Sequence, residues 1–221
     1  MSIIGPRALQ RVADSLSPRD WAILRFLAAQ KFATTTQLRR THFAGHATVA
    51  AATRACVRVL HRLLAHRLVG RLERRIGGSR RGSAGFIWHL DVAGERLTKK
   101  PAAGRRRIAD PSIAFVDHTL AVTETVVALH ELASDEHLRV TRLDVETTAW
   151  RTFLTRRGTT TVLKPDLLVT VSSNDYDDHW YIEVDRGTEH LPVLLAKCRA
   201  YTAYKATGRA QAEHGVFPRV L

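Results

Sequence analysis

The sequence predicts a two-domain chain of mixed class, α+β in its first half and α/β in its second. Three observations lead there. Charge divides the chain: residues 1–109 hold 22 Lys and Arg against 5 Asp and Glu, a balance of +17, whereas residues 110–221 hold 12 against 16, a balance of −4. Periodicity divides it too, with helical spacing first and short strand-like runs later. Between the halves lies 99–112, where Lys99, Lys100, Pro101, Gly104, Arg105, Arg106 and Arg107 have the composition of a basic linker. The expected domains are therefore 1–98 and 113–221.

Composition sets the outer limits. A 221-residue chain with 45% hydrophobic residues can bury a proper core. No apolar run reaches the ~20 residues of a membrane span, and the N-terminus lacks a signal-peptide pattern, so a cytoplasmic location with no membrane partner is expected. Cys56 and Cys198 each fall in a helical pattern, which predicts two buried thiols and no disulfide. Only six of the 34 basic residues are Lys. Arg suits bidentate phosphate contacts, but a GC-rich genome produces the same bias.

The first half opens with Ser17-Pro18-Arg19-Asp20, which combines an N-cap, a first-turn proline and an acidic first turn. Trp21, Leu24, Leu27 and Ala28 then recur at helical spacing. A second short helix starts at one of Thr34 to Thr36. The loop at His42 and His46 has no further metal-type ligand nearby and is read as solvated or touching a phosphate. Residues 48–66 form the longest periodic segment: Cys56, Leu60, Leu63 and Leu64 mark its inner face, and Arg54, Arg58 and Arg62 line another at i, i+4 steps. Leu68 to Ile76 and Phe86 to Leu90 read as strands around a basic loop that carries Arg80 and Arg81. Residues 91–97 read as a last short helix. Three helices followed by a hairpin constitute an N-terminal winged helix-turn-helix, with Arg54, Arg58, Arg62, Arg80 and Arg81 as candidate contacts to double-stranded DNA. A basic face on a core helix is also often merely solvated.

The second half begins with an amphipathic helix over 113–133 that includes Phe115, Leu120, Val122, Val126, Leu129 and Leu132. Leu138 to Phe153 is strand-like. Residues 162–171 and 180–185 form two further runs about a polar turn. Asp166 stands at the start of the first run. Glu183 and Asp185 lie two apart in the second, a spacing that puts both on one strand face. Three carboxylates converging across paired strands suit a hard divalent cation, although a Glu-x-Asp on an edge strand is as often a solvated face. A final helix, capped by Thr188 with Glu189 in its first turn, should bury Leu191, Leu194, Leu195, Cys198 and Tyr201. Residues 215–221 read as the opening of another strand, as in a chain truncated at its C-terminus.

Pro165-Asp166, a hairpin, then Glu183-Val184-Asp185 resembles the core motif of the PD-(D/E)XK phosphodiesterases. The longer string Glu183 to Glu189, followed by Lys197 and Tyr201, is similar to the replication-relaxation family of plasmid and mobile-element proteins. That likeness implies a winged helix followed by a restriction-endonuclease-like domain, and a role in replication, its control or transfer. It also implies a metal site at Asp166 and Glu183 for Mg2+ or Mn2+, with Asp185 and Lys197 as further catalytic candidates and Glu124 as a fourth acid. Asp185 stands where such nucleases carry a lysine, and Lys197 is a candidate substitute. Two functions stay open at this point: a DNA-binding protein whose second domain serves as a homodimer or partner contact, and a metal-dependent DNA nuclease or nickase.

Overall fold

The computed structural model describes residues 4–72, 86–98, 111–133, 138–156, 158–173, 176–187 and 189–221. It is mixed α and β, and the chain divides into two compact units, Met1–Val127 and Ala128–Leu221. The expected wing tip at Arg80 and Arg81, the linker 99–110 and the cap residue Thr188 lie outside the described residues.

The first unit starts with α1 (Pro6–Asp14) and α2 (Pro18–Gln30). Ser17 caps α2 in a reciprocal capping box: its hydroxyl accepts from the Asp20 amide, and Asp20 accepts from the Ser17 amide. The short β1 (Ala33–Thr34) leads into α3 (Thr35–His42), where Thr34 and Gln37 repeat the same box. Helix α4 (Val49–Ala65), capped by Thr48, buries Ala52, Ala55, Cys56, Leu60 and Leu63. Strands β2 (Val69–Leu72) and β3 (Ile87–Leu90) complete an antiparallel sheet in the order β1-β3-β2. One face of β3 carries fully buried Trp88, whose indole N–H donates to Thr35 Oγ1 at 2.9 Å. The other face carries Ile87, which joins Phe32, Leu72, Val116 and Leu120 in a second apolar cluster.

Helix α5 (Val92–Thr98) depends on Gly94, because a Cβ there would stand 1.9 Å from the Leu68 carbonyl oxygen. Helix α6 (Ile113–Leu132) begins in this unit, and the division between units falls inside it. It is the one described helix long and apolar enough to cross a membrane, a property that no run in the sequence had suggested. Buried Val116, Val122, Val126 and Val127 use that apolar surface for protein packing. The Thr123 hydroxyl donates to the Phe32 carbonyl at 2.9 Å.

The second unit is built on a four-stranded sheet in the order β4-β7-β8-β9, from β4 (Arg139–Val145), β7 (Leu167–Ser173), β8 (Tyr176–Ile182) and β9 (Arg219–Val220). The first three strands pair antiparallel and β9 runs parallel to β8. A hairpin of β5 (Arg151–Leu154) and β6 (Thr160–Leu163) lies between β4 and β7 in sequence. Helices α7 (Leu191–Lys205) and α8 (Arg209–His214) lie between β8 and β9. Phe153, Leu163, Leu168, Tyr181, Tyr201, Tyr204 and Ala210 form the core here.

Two burial expectations fail in this unit. Cys198 is exposed, whereas Cys56 is buried with its thiol pushed up to about 12 by desolvation. Helix α7 buries only Tyr201 and Tyr204; Leu191, Leu194 and Leu195 are 66%, 47% and 44% exposed. Its first helical residue follows His190, so Glu189 precedes the helix.

Candidate functional site

The acidic end of the second unit is built by strand register. Leu167 pairs with Ile182, and Val145 pairs with Leu167. Asp166 stands just before β7 and Glu183 just after β8, at the same end of the paired strands. The Asp166 amide donates to the Ile182 carbonyl at 3.1 Å, and the Glu183 amide donates to the Leu221 carbonyl at 2.8 Å. Asp166 Oδ2 accepts from the Val184 amide at 2.8 Å. The backbone of both residues is therefore held at the ends of β7, β8 and β9.

Helix α7 supplies the other side. Lys197 and Tyr201 are four apart, one helical turn, and share a face. The Tyr201 hydroxyl donates to Glu183 Oε1 at 2.6 Å. The Lys197 ammonium reaches Glu183 Oε2 at 2.9 Å and Glu189 Oε1 at 2.6 Å. Burial alone would lower the lysine pKa; the hydrogen bonds and charges of Glu189 and Glu183 outweigh it and hold the ammonium above its usual range. The Tyr201 phenol is pushed well above the tyrosine range by burial first, then by Glu183 and by the charge of Asp166.

Asp185 differs from its expected setting. Strand β8 ends at Ile182, so Glu183 and Asp185 do not alternate along a continuing strand. Asp185 is exposed in the loop beyond, where Oδ1 accepts from the Gly187 amide at 2.8 Å and closes a turn with Gly187 at φ +71°. Glu124 is committed in the first unit, where it accepts from Gln37 Nε2 at 3.0 Å and pairs with Arg40. Among the described residues, no group of three or more His, Cys, Asp or Glu is arranged to hold a metal ion. Asp166 and Glu183 are donors of the right chemistry for Mg2+ or Mn2+, but they are two.

Several residues of this end were not singled out from the sequence. Glu146 stands one step beyond the Val145–Leu167 pair, donates its amide to the Asp166 carbonyl at 2.8 Å, and has φ +47°. Glu189 and Tyr201 figure in the resemblance and were read as a first-turn acid and a core residue, not as partners of Lys197 and Glu183. The i, i+4 spacing of Lys197 and Tyr201 was the available signal for a shared partner. Lys164, just before Pro165-Asp166, lies over the Trp150 ring at 5.0 Å.

The basic candidates of the first unit part company. Arg54 and Arg58 are exposed on α4. Arg62 instead donates to Asp20 Oδ1 at 2.6 Å, and Asp20 has no exposed surface. Half of the Arg62 side chain remains exposed beside that pair. The sequence profile of the replication-relaxation family matches residues 24–220. No curated protein and no solved structure matches.

Proposed function

The chain belongs to the replication-relaxation family, and from that premise we propose that it is a DNA-binding protein of a plasmid, phage or integrated element, acting in replication, its control or transfer. The observation that carries this reading is the order α2-β1-α3-α4-β2-β3 with Arg54 and Arg58 exposed on α4. That order supports a winged helix, in which the third helix enters the major groove and the hairpin reaches the flanking backbone. Double-stranded DNA is the partner, held mainly through phosphates.

The second unit is a nuclease-like domain with a weakened site. The order β4-β7-β8-α7-β9, with β9 parallel to β8, supports a PD-(D/E)XK relationship. Against efficient cleavage stands the engagement of its charges: both oxygens of Glu183 accept from α7, Lys197 is shared between two glutamates, and Asp185 closes a turn. Such a domain serves as a homodimer or partner contact.

One observation favours the second reading, an active Mg2+- or Mn2+-dependent endonuclease or nickase: Asp166 and Glu183 lie at the same end of the β7–β8 pair, with Lys197 bound to Glu183. In that reading Asp166 and Glu183 hold the metal, which stabilises charge on a phosphate. Supercoiled plasmid incubated with the protein and either metal separates the two. Intact plasmid with retained duplex binding is the expected result. Nicking that disappears in an Asp166→Ala/Glu183→Ala variant would overturn it in favour of the enzyme.

A further inference from the structure

We infer that Arg71, stacked on Phe86, is a backbone-phosphate contact of the DNA-binding unit; this rests on the DNA-binding reading above and adds a residue pair that reading does not contain. Phe86 is 41% exposed, although it is a large apolar side chain at the start of a strand. The Arg71 guanidinium lies over its ring at 4.4 Å. Among the described residues no carboxylate is within ion-pair distance of Arg71. An aromatic face orders a guanidinium without cancelling its charge, and leaves its N–H edge free for an oxyanion. Arg62 shows the contrast, because a buried carboxylate neutralises it.

The pair is also in the right place. Arg71 pairs with Trp88 across β2 and β3, so Arg71, Phe86 and Trp88 share one face of the hairpin. The Thr35 amide donates to the Phe86 carbonyl at 3.2 Å, and the Trp88 indole donates to the Thr35 hydroxyl. The Cys56 thiol approaches the Thr35 carbonyl at 3.9 Å, which links the same corner to the middle of α4. Arg54 and Arg58 are the residues two before and two after Cys56, both exposed. The stacked pair, Thr35 and α4 are thus joined by direct contacts. A duplex seated on α4 finds Arg71 at the root of the hairpin, on the hairpin face that packs toward α3.

The test measures affinity for a short duplex of random sequence as a function of salt, for the wild-type chain, Arg71→Ala, Phe86→Leu and Phe86→Tyr. Loss of one phosphate contact should weaken Arg71→Ala by about five- to tenfold at physiological ionic strength and reduce the slope of log K against log salt by about 0.9. Phe86→Leu should weaken binding by about two- to fivefold with the slope retained, because the charge remains but is no longer ordered. Phe86→Tyr, which keeps the ring, should bind as the wild type. A merely structural role would not change the slope. Arg71→Ala with the wild-type slope overturns the contact, and Phe86→Leu with wild-type affinity overturns the ordering role. A wild-type chain that binds no duplex would instead defeat the DNA-binding reading itself.

Discussion

Asp20 has no exposed surface, yet it is a carboxylate whose nearest neighbours in sequence give it only a capping role. Its other oxygen accepts from Arg62, 42 residues away. Sequence spacing placed Ser17 and Asp20 correctly because a capping box is local. It could not show that Arg62 pairs with Asp20, because that partner arrives from α4, 42 residues along the chain. Removing one member of a pair whose other member is buried costs more than the pair contributes. Arg62→Ala should therefore lower stability by about 2–4 kcal/mol while leaving the salt slope of DNA binding unchanged. Urea unfolding and a binding titration on the same variant check both halves. A variant of wild-type stability with a reduced slope would return Arg62 to the DNA contacts.

Helices α7 and α8 show what periodicity reports and what it omits. Leu191, Leu194, Leu195 and Cys198 do share a helical face, as their spacing predicts, but spacing does not reveal whether anything covers that face. Tyr201 and Tyr204 meet Tyr181 and Phe217, and these ring contacts, together with the Glu183 grip, hold the helix. Strand positions proved more legible. The hydrophobic pattern fixes register, and the pairing of Leu167 with Ile182 brings the neighbouring Asp166 and Glu183 to one end of the strands. Asp185 was misplaced because β8 ends one residue before Glu183. Helix α8 is fixed by charge and ring contacts: Glu213 accepts from Arg142 at 2.7 Å, and His214 packs on His179 with ring centroids 4.5 Å apart. Burial holds the His214 imidazole below its usual pKa of 6.5; His179, Arg142 and Arg151 add to that, and Glu213 opposes it. The folded chain thus takes up this proton at lower pH than the unfolded chain. The stability involved is fully present above about pH 6.5 and is lost as pH falls through the folded value. His130, also held low by burial, acts in the same direction. The urea midpoint should fall between pH 7.5 and pH 5.5, and should fall less in His214→Leu. An equal fall in both proteins would show that His214 does not carry the effect.

At the scale of the whole molecule, the charge boundary near residue 110 lies ahead of the structural boundary at Val127. Residues 1–127 hold 22 Lys and Arg against 8 Asp and Glu, residues 128–221 hold 12 against 13, and each unit has its own buried cluster. Cores that share no side chains need not unfold together. The aromatic residues allow this to be read directly. Trp21 and Trp88 lie in the first unit, Trp150 and Trp180 in the second, and all four tyrosines, 176, 181, 201 and 204, lie in the second. A Trp150→Phe/Trp180→Phe variant therefore reports the first unit by tryptophan fluorescence and the second by tyrosine absorbance. The two probes should give different urea midpoints. Duplex DNA at a hundredfold excess over its dissociation constant should stabilise only the tryptophan transition, by about 2.7 kcal/mol, because a ligand stabilises the unit that binds it. Coincident transitions that move together on adding DNA would show one cooperative molecule in place of a cationic module and a separate, nearly neutral one.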